Sequence, residues 1–351
     1  MTDREHPGRG AAENPPNRFE RLHLEPLPPE DGEAAEVPTL FFTDASRSIL
    51  AENDSPDLSF RFSVNPYRGC EHGCIYCYAR PSHQYLGFSA GLDFETRILV
   101  KERAPELLRE ALAARSWRPQ LVALSGNTDC YQPIERRLEL TRRCLEAFRD
   151  FRNPVGVVTK SAMVARDADL LGELAGDGAA HVAVSLATLD PDLAARLEPR
   201  AARPERRLEA IAALAGAGVP VSVLVAPVIP GLSEQEIPAI LEAAAAAGAR
   251  SASWVLLRLP EPLPLLFDAW LERHYPRRRA KVLARIRDCR GGALTDGSFG
   301  GRMRGRGNYA EQIKALFTVA ARRTGLDRKL PEPSSAAFRV PIDAPGQARL
   351  F

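Results

Sequence analysis

The sequence predicts an α/β fold wound as a partial (β/α)6, TIM-like barrel, and three observations carry the prediction. Six short apolar runs, several rich in Val, recur along the chain. Helical patterns lie between them, and successive runs are spaced roughly 25 to 60 residues apart, as parallel strands joined by right-handed crossovers require.

The first strand is read at Leu58 to Val64, where apolar and polar residues alternate strictly, the period of a strand with one buried face. The others are read at Leu121 to Leu124, Val155 to Val158, Val182 to Leu186, Val221 to Val225 and Trp254 to Leu257. One helix is expected over Ile134 to Phe151, with Leu138, Leu145 and Phe148 on a common face. Asp190-Pro191 and Ser233 read as helix starts, and Gly176, Gly216, Gly218 and Gly248 as helix ends. In a barrel of this kind chemistry gathers at the C-terminal strand ends. A doubly wound open sheet gives the same periodicity and stays open as an alternative.

Of the 351 residues, 45% are apolar and 26% charged, enough for one large core with additions. No run of 18 apolar residues is present, and Met1 to Glu5 lacks the basic-then-apolar order of a signal peptide, so a cytoplasmic protein without membrane contact is expected. The net charge of +2 conceals a segregation. Residues 1–58 carry 13 acidic and 5 basic side chains, whereas residues 271–330 carry 16 basic and 5 acidic. Four regions follow. Residues 1–57 form an acidic, Pro-rich leader expected to be largely disordered, residues 58–260 the core, residues 261–330 a basic helical extension, and residues 331–351 a flexible tail.

Six cysteines are too few for a secreted disulfide scaffold, and three of them, Cys70, Cys74 and Cys77, fall within eight residues directly after the first strand. That spacing favours metal binding. Structural zinc prefers four closed ligands, usually as paired C-x2-C units, and Cys130, Cys144 and Cys289 form no such pair. Three thiolates on a four-iron cluster leave one iron open to an outside ligand, where most iron–sulfur proteins use four.

The spacing of Cys70, Cys74 and Cys77, with aromatic Tyr76 before the last, resembles the signature of the radical S-adenosylmethionine superfamily. The resemblance covers roughly residues 58 to 260 and extends to Ser125-Gly126-Asn127-Thr128-Asp129, Thr159-Lys160-Ser161, Val184-Ser185 and Val225-Ala226-Pro227-Val228-Ile229-Pro230-Gly231. Together these look like the branch related to spore photoproduct lyase, a DNA-repair enzyme, and more closely like a group of bacterial proteins related to it. It implies a 4Fe-4S cluster on the three cysteines whose open iron chelates S-adenosylmethionine. One-electron reduction then yields a 5′-deoxyadenosyl radical that abstracts hydrogen from substrate, with flavodoxin or ferredoxin as electron donor. It also implies cofactor contacts at Thr128, Lys160 and Ser185, Lys160 as a cation for the carboxylate and Ser185 as a hydroxyl. Tyr76 and the backbone of Ala226 and Val228 would line the adenine pocket. The lyase's hydrogen-returning cysteine aligns with Gly126 here, and Cys130, four residues on, is the candidate to replace it.

In the extension, Arg302, Arg304, Arg306 and Tyr309 form a glycine-punctuated basic run beside an aromatic, a composition suited to phosphate contact and base stacking. The terminal Gln347, Leu350 and Phe351 resemble the peptide by which DNA-maintenance proteins dock on the bacterial sliding clamp. The function expected is radical chemistry on a nucleic-acid lesion or nucleotide. Two alternatives are radical modification of a peptide or small metabolite, favoured if the Arg-Gly run is buried, and a non-catalytic cluster- or zinc-binding protein.

Overall fold

Six parallel strands stand side by side in the order in which the chain makes them. They are β1 (Phe62–Val64), β2 (Val122–Leu124), β3 (Val155–Thr159), β4 (Ala180–Ser185), β5 (Val221–Val228) and β6 (Ser251–Leu256). The register runs Phe62 to Val122, Val122 to Val155, Val155 to Ala180 and Val182 to Val221, with Ser251 opposite Ser222. A doubly wound sheet reverses its strand order at a switch point. This one never does, so the sheet curls one way, a partial barrel rather than a two-faced open sheet. The computed structural model describes residues 6, 8–19 and 37–342. Among these, no helix is long and apolar enough to cross a membrane.

The Val-rich runs form strands because β-branched side chains fit a pleated surface covered on both faces. Val64, Val122, Leu124, Val155, Val157, Val182, Val184, Val221 and Val223 are all fully buried in one core. Each such side chain contributes roughly 1.5–3 kcal/mol of burial. Helices 104–113, 140–151, 168–176, 204–216 and 237–246 pack around it. Asp190 caps helix 191–197 as expected, its carboxylate accepting from the Asp192 and Leu193 amides at 2.9 and 3.2 Å.

Three expectations are corrected. The first strand is only Phe62–Val64, because Asn53 turns the chain before it: its side-chain oxygen accepts from the Ser55 amide and its amide donates to the Phe60 carbonyl. The helix read over 134–151 is broken at Glu139, which has φ +51°. The buried Glu135 carboxylate accepts from the Thr141 amide at 3.0 Å and so caps a new helix at Leu140. The leader is ordered where it is described. Arg9 donates to the carbonyls of Glu95 and Val37, and the amides of Gly10 and Ala11 donate to the buried Glu95 carboxylate at 2.9 and 2.8 Å. Leu40–Thr43 is a strand beside Arg97–Val100, which pairs on its other side with Tyr67–Arg68, and Leu50–Glu52 runs antiparallel to β1. The rest of the leader, residues 1–5, 7 and 20–36, lies outside the described residues.

The extension is helical at 263–274, 276–288 and 308–324 and belongs to the core rather than standing apart. Ala310, Ile313, Ala320 and Ala321 join the main cluster, while Leu263, Phe267, Trp270 and Val282 pack with Cys74, Ile75 and Tyr76 in a second.

Candidate metal and cofactor site

The short strand Tyr67–Arg68 delivers the chain into the loop that carries Cys70, Cys74 and Cys77. The loop's shape comes from its own turns and from Arg80, which is fully buried inside it. The Cys70 amide donates to the Phe94 carbonyl at 2.9 Å, and the Cys77 amide to the Cys74 carbonyl at 3.2 Å. The Arg80 guanidinium donates to the carbonyls of Cys74, Ala90, Gly91 and Gly73 and pairs with the equally buried Glu95 carboxylate. Gly73 has φ +68°, and a Cβ on Gly10 would stand 1.8 Å from the Gly73 carbonyl oxygen. The leader thus lies flat against the loop.

Burial pushes the Cys70, Cys74 and Cys77 thiols above their ordinary range, and for Cys70 the Asp129 carboxylate and the other two thiols add to it. Cys70 and Cys74 are buried and Cys77 is half-buried, all on one loop, and a bound metal cation would hold such thiols as thiolates. Among the described residues no three His, Cys, Asp or Glu side chains are arranged to hold one metal ion. A four-iron cluster has no such requirement, since each thiolate takes its own iron, and the donor set fits that group.

Beyond the loop, four sequence-predicted residues meet. Lys160 follows the end of β3, and its ammonium donates to Ser185 Oγ at 2.7 Å, at the end of β4, and to the Ala226 carbonyl at 3.2 Å, in β5. Ser185 Oγ donates to the same carbonyl at 3.0 Å, and Lys160 Nζ lies 5.6 Å from the centroid of the Tyr76 ring. Two residues not anticipated from sequence complete the cluster. The buried Glu198 carboxylate accepts from the Tyr76 hydroxyl, pairs with Arg207 and stands 3.6 Å from Lys160 Nζ. Burial alone would raise Glu198, but Arg207 and Lys160 hold it below its ordinary value, so it remains a carboxylate. Burial and Glu198 together push the Tyr76 phenol up, so it stays protonated and donates. Arg207 also donates to the Ser185 carbonyl at 2.9 Å. Its one readable signal is position: it shares a helix face with Ala210, Ile211 and Leu214, all buried.

Asp129, singled out by the sequence only within the stretch Ser125 to Asp129, is a second hub. Its carboxylate accepts from Thr159 Oγ1 and the Lys160 amide, both at 2.8 Å, and lies 3.4 Å from His72 Nδ1, between Cys70 and Cys74. Burial would raise it, yet His72 and the Lys160 and Tyr131 amides bring it down to about 2.

Other predicted residues stand elsewhere. Thr128 does not join Lys160: its hydroxyl donates to the Tyr67 carbonyl at 2.6 Å. Val228 is buried, and its carbonyl accepts the Leu257 amide in the sheet. Cys130 has no exposed surface and packs in the main core among Val64, Leu124 and Tyr131, which is the wrong place for a hydrogen donor facing an opening. A cysteine at Gly126 is not accommodated either, because its Cβ would lie 2.8 Å from Ser63 Cβ. The Arg-Gly run is not a free basic ribbon. Arg302 pairs with Asp57 at 2.5 Å, Arg304 donates to the Trp254 carbonyl, Arg306 pairs with Asp296 at 3.0 Å and Tyr309 donates to Glu234. Gln347, Leu350 and Phe351 lie outside the described residues.

A parallel partial barrel, with three cysteines on one loop before its second strand and a cation, a hydroxyl and a carbonyl meeting at successive strand ends, is the arrangement of a cluster-dependent enzyme. The radical SAM superfamily model matches residues 64–244, and the chain belongs to that superfamily. Its cofactors are a 4Fe-4S cluster and S-adenosylmethionine. An uncharacterised protein of Mycobacterium tuberculosis (strain H37Rv) is 36% identical over 290 residues, 82% of this chain and 82% of its own. One of Methanocaldococcus jannaschii is 28% identical over 50% of this chain and 63% of its own. Among solved structures, spore photoproduct lyase complexed with dinucleoside spore photoproduct superposes with a TM-score of 0.56 at 18% identity, covering 81% of this chain and 79% of the lyase. A variant of that lyase with bound AdoMet and the same dinucleoside gives 0.52 at 17% identity, covering 81% and 78%.

Proposed function

We propose that this radical SAM enzyme acts on a nucleic-acid lesion or nucleotide. The observation that carries the reading is the surface beside the last cysteine. Tyr78, next after Cys77, is 45% exposed, donates to the Gly126 carbonyl at 2.9 Å and has the Arg258 guanidinium 5.1 Å from its ring centroid. An aromatic face with a guanidinium beside it suits a planar base and its phosphate. The shared fold of a lyase that takes a dinucleoside supports the same choice. So does helix 276–288, where Arg277, Arg278 and Lys281 are exposed and form no ion pair among the described residues. This helix is the better candidate for phosphate contact than the Arg-Gly run.

Bound at the cluster and given one electron, S-adenosylmethionine would supply hydrogen-abstracting radical chemistry. The chain's own residues hold and orient. Cys70, Cys74 and Cys77 would hold three irons, Lys160 and Ser185 would take the cofactor's carboxylate, and Tyr76 would line its adenine side. Glu198, itself paired with Arg207, fixes Tyr76 and Lys160 in place. An electron carrier such as flavodoxin or ferredoxin supplies the electron.

Anaerobically reconstituted enzyme tests the reading when 5′-deoxyadenosine is measured with ultraviolet-damaged DNA, with undamaged DNA and with peptide. Formation stimulated by damaged DNA supports it. Stimulation by peptide alone would sink it and favour modification of a peptide or small metabolite, the reading for which the internal pairing of Arg302, Arg304 and Arg306 speaks.

A further inference from the structure

Arginines around the site are mostly neutralised from within: Arg80 by Glu95, Arg207 by Glu198, Arg166 by Glu135 and Arg302 by Asp57. Arg136 and Arg137 differ. Both are exposed, and neither has a carboxylate partner among the described residues. The Arg137 guanidinium lies 5.7 Å from the centroid of the Phe41 ring. Together they border an open hollow of about 320 Å³ that also takes in Phe41, Glu71 and Arg200.

The hollow rests on the cysteine loop. Glu71 follows Cys70 directly, its carboxylate pairs with Arg200 at 3.1 Å and accepts the Ile134 amide at 2.8 Å. The Arg200 amide donates to the His72 carbonyl at 3.2 Å. A molecule seated here touches residues one position from a cluster ligand without entering the strand-end site of Lys160 and Ser185.

Beside the hollow, strand Leu40–Thr43 pairs with Arg97–Val100 on one side only, so its other edge is open among the described residues. Leu40, Phe41 and Phe42 are 50%, 39% and 41% exposed. Consecutive large apolar side chains on an unpaired edge are what soluble proteins avoid unless a partner covers them. Aromatics with arginines, and few acidic groups, are the composition of a protein-docking surface.

We propose that this face docks a small acidic one-electron carrier protein, whose carboxylates meet Arg136 and Arg137 while its apolar rim covers Phe41 and Phe42. The inference rests on the reading that Cys70, Cys74 and Cys77 hold the cluster. One electron leaves the carrier and is taken up by the cluster; no bond is made or broken and no proton moves. Charge complementarity selects an acidic partner, and contact with the cysteine loop selects one that delivers electrons.

The test uses the full chain and an acidic flavodoxin. Calorimetry reads flavodoxin binding with or without the cluster, and stopped-flow bleaching of the cluster chromophore reads electron delivery, with dithionite as a small reductant for comparison. In the double variant R136E/R137E, flavodoxin binding and flavodoxin-driven bleaching both fall at least about tenfold, the defect vanishes at high salt, where the wild-type chain slows to match, and bleaching by dithionite is unchanged. The charge-matched control R115E/R118E, at two exposed arginines on the loop that enters β2, behaves as wild type. Unchanged flavodoxin binding in R136E/R137E overturns the proposal. So does an equal loss with dithionite, or an equal loss in R115E/R118E, or a loss of DNA binding in place of flavodoxin binding. A wild-type chain that binds flavodoxin but never shows a cluster chromophore refutes the cysteine reading instead.

Discussion

The Lys160 ammonium donates to the Ser185 hydroxyl at 2.7 Å, across the ends of two neighbouring parallel strands. A cation that already has a hydroxyl and a carbonyl to hold it loses little side-chain freedom when a carboxylate arrives.

Replacing either partner should therefore act on the cofactor and not on the metal. Lys160→Met and Ser185→Ala are expected to weaken S-adenosylmethionine binding, the lysine change by roughly 10- to 100-fold as a charged hydrogen bond implies, with iron content unchanged. Equilibrium dialysis beside an iron assay checks both. Loss of iron in either variant would contradict the assignment.

Glu198→Gln keeps the size of the side chain but leaves Arg207 buried without its counter-charge. Breaking a buried pair from one side costs roughly 3–5 kcal/mol. The expected outcome is a lower denaturation midpoint together with weaker cofactor binding, since Tyr76 and Lys160 both lose a fixed partner. Denaturant titration and dialysis measure the two effects separately.

Cys130→Ala should leave 5′-deoxyadenosine formation and hydrogen transfer as they are, at a stability cost of about 1 kcal/mol for a small core void. The thiol has no exposed surface. Deuterium tracing from labelled cofactor to product is the check, and a trapped or misdirected product in the variant would restore Cys130 as a participant.

Stability should fall with acid in two stages. Burial lowers the His83 imidazole to about 4 from an ordinary 6.5, so the folded chain favours its neutral form. The stability this contributes is full above pH 6.5 and is lost as pH falls from 6.5 towards 4, because the unfolded chain takes up the proton first; roughly 3 kcal/mol is at stake. Asp129, brought down to about 2 from 3.8, contributes fully above pH 3.8 and loses its share as pH falls through 2. Denaturation midpoints from pH 8 to 3 should be flat, then decline, and His83→Gln should remove the first decline.

The strands were legible because burial on both faces writes a Val-rich run into the sequence. Lys160 and Ser185 were legible because they close two such runs in succession. Glu198 and Arg207 were not, since their partners lie on other elements and polar contacts between distant positions leave no period. The leader shows the same blindness. Its acidic, Pro-rich composition argued for disorder, yet Gly10 and Ala11 are held by a carboxylate 85 and 84 residues away. Counting charge was equally incomplete at Arg302, Arg304 and Arg306, where the total is basic but each side chain has an internal acceptor.

Arg80 spends all five of its guanidinium hydrogen bonds on four carbonyls and one carboxylate, none of them on sulfur. The loop therefore has its shape before any iron arrives. Maturation becomes a late filling of a ready mould: apoprotein should accumulate as a stable intermediate, and a cluster damaged by oxygen should be replaceable without unfolding the chain.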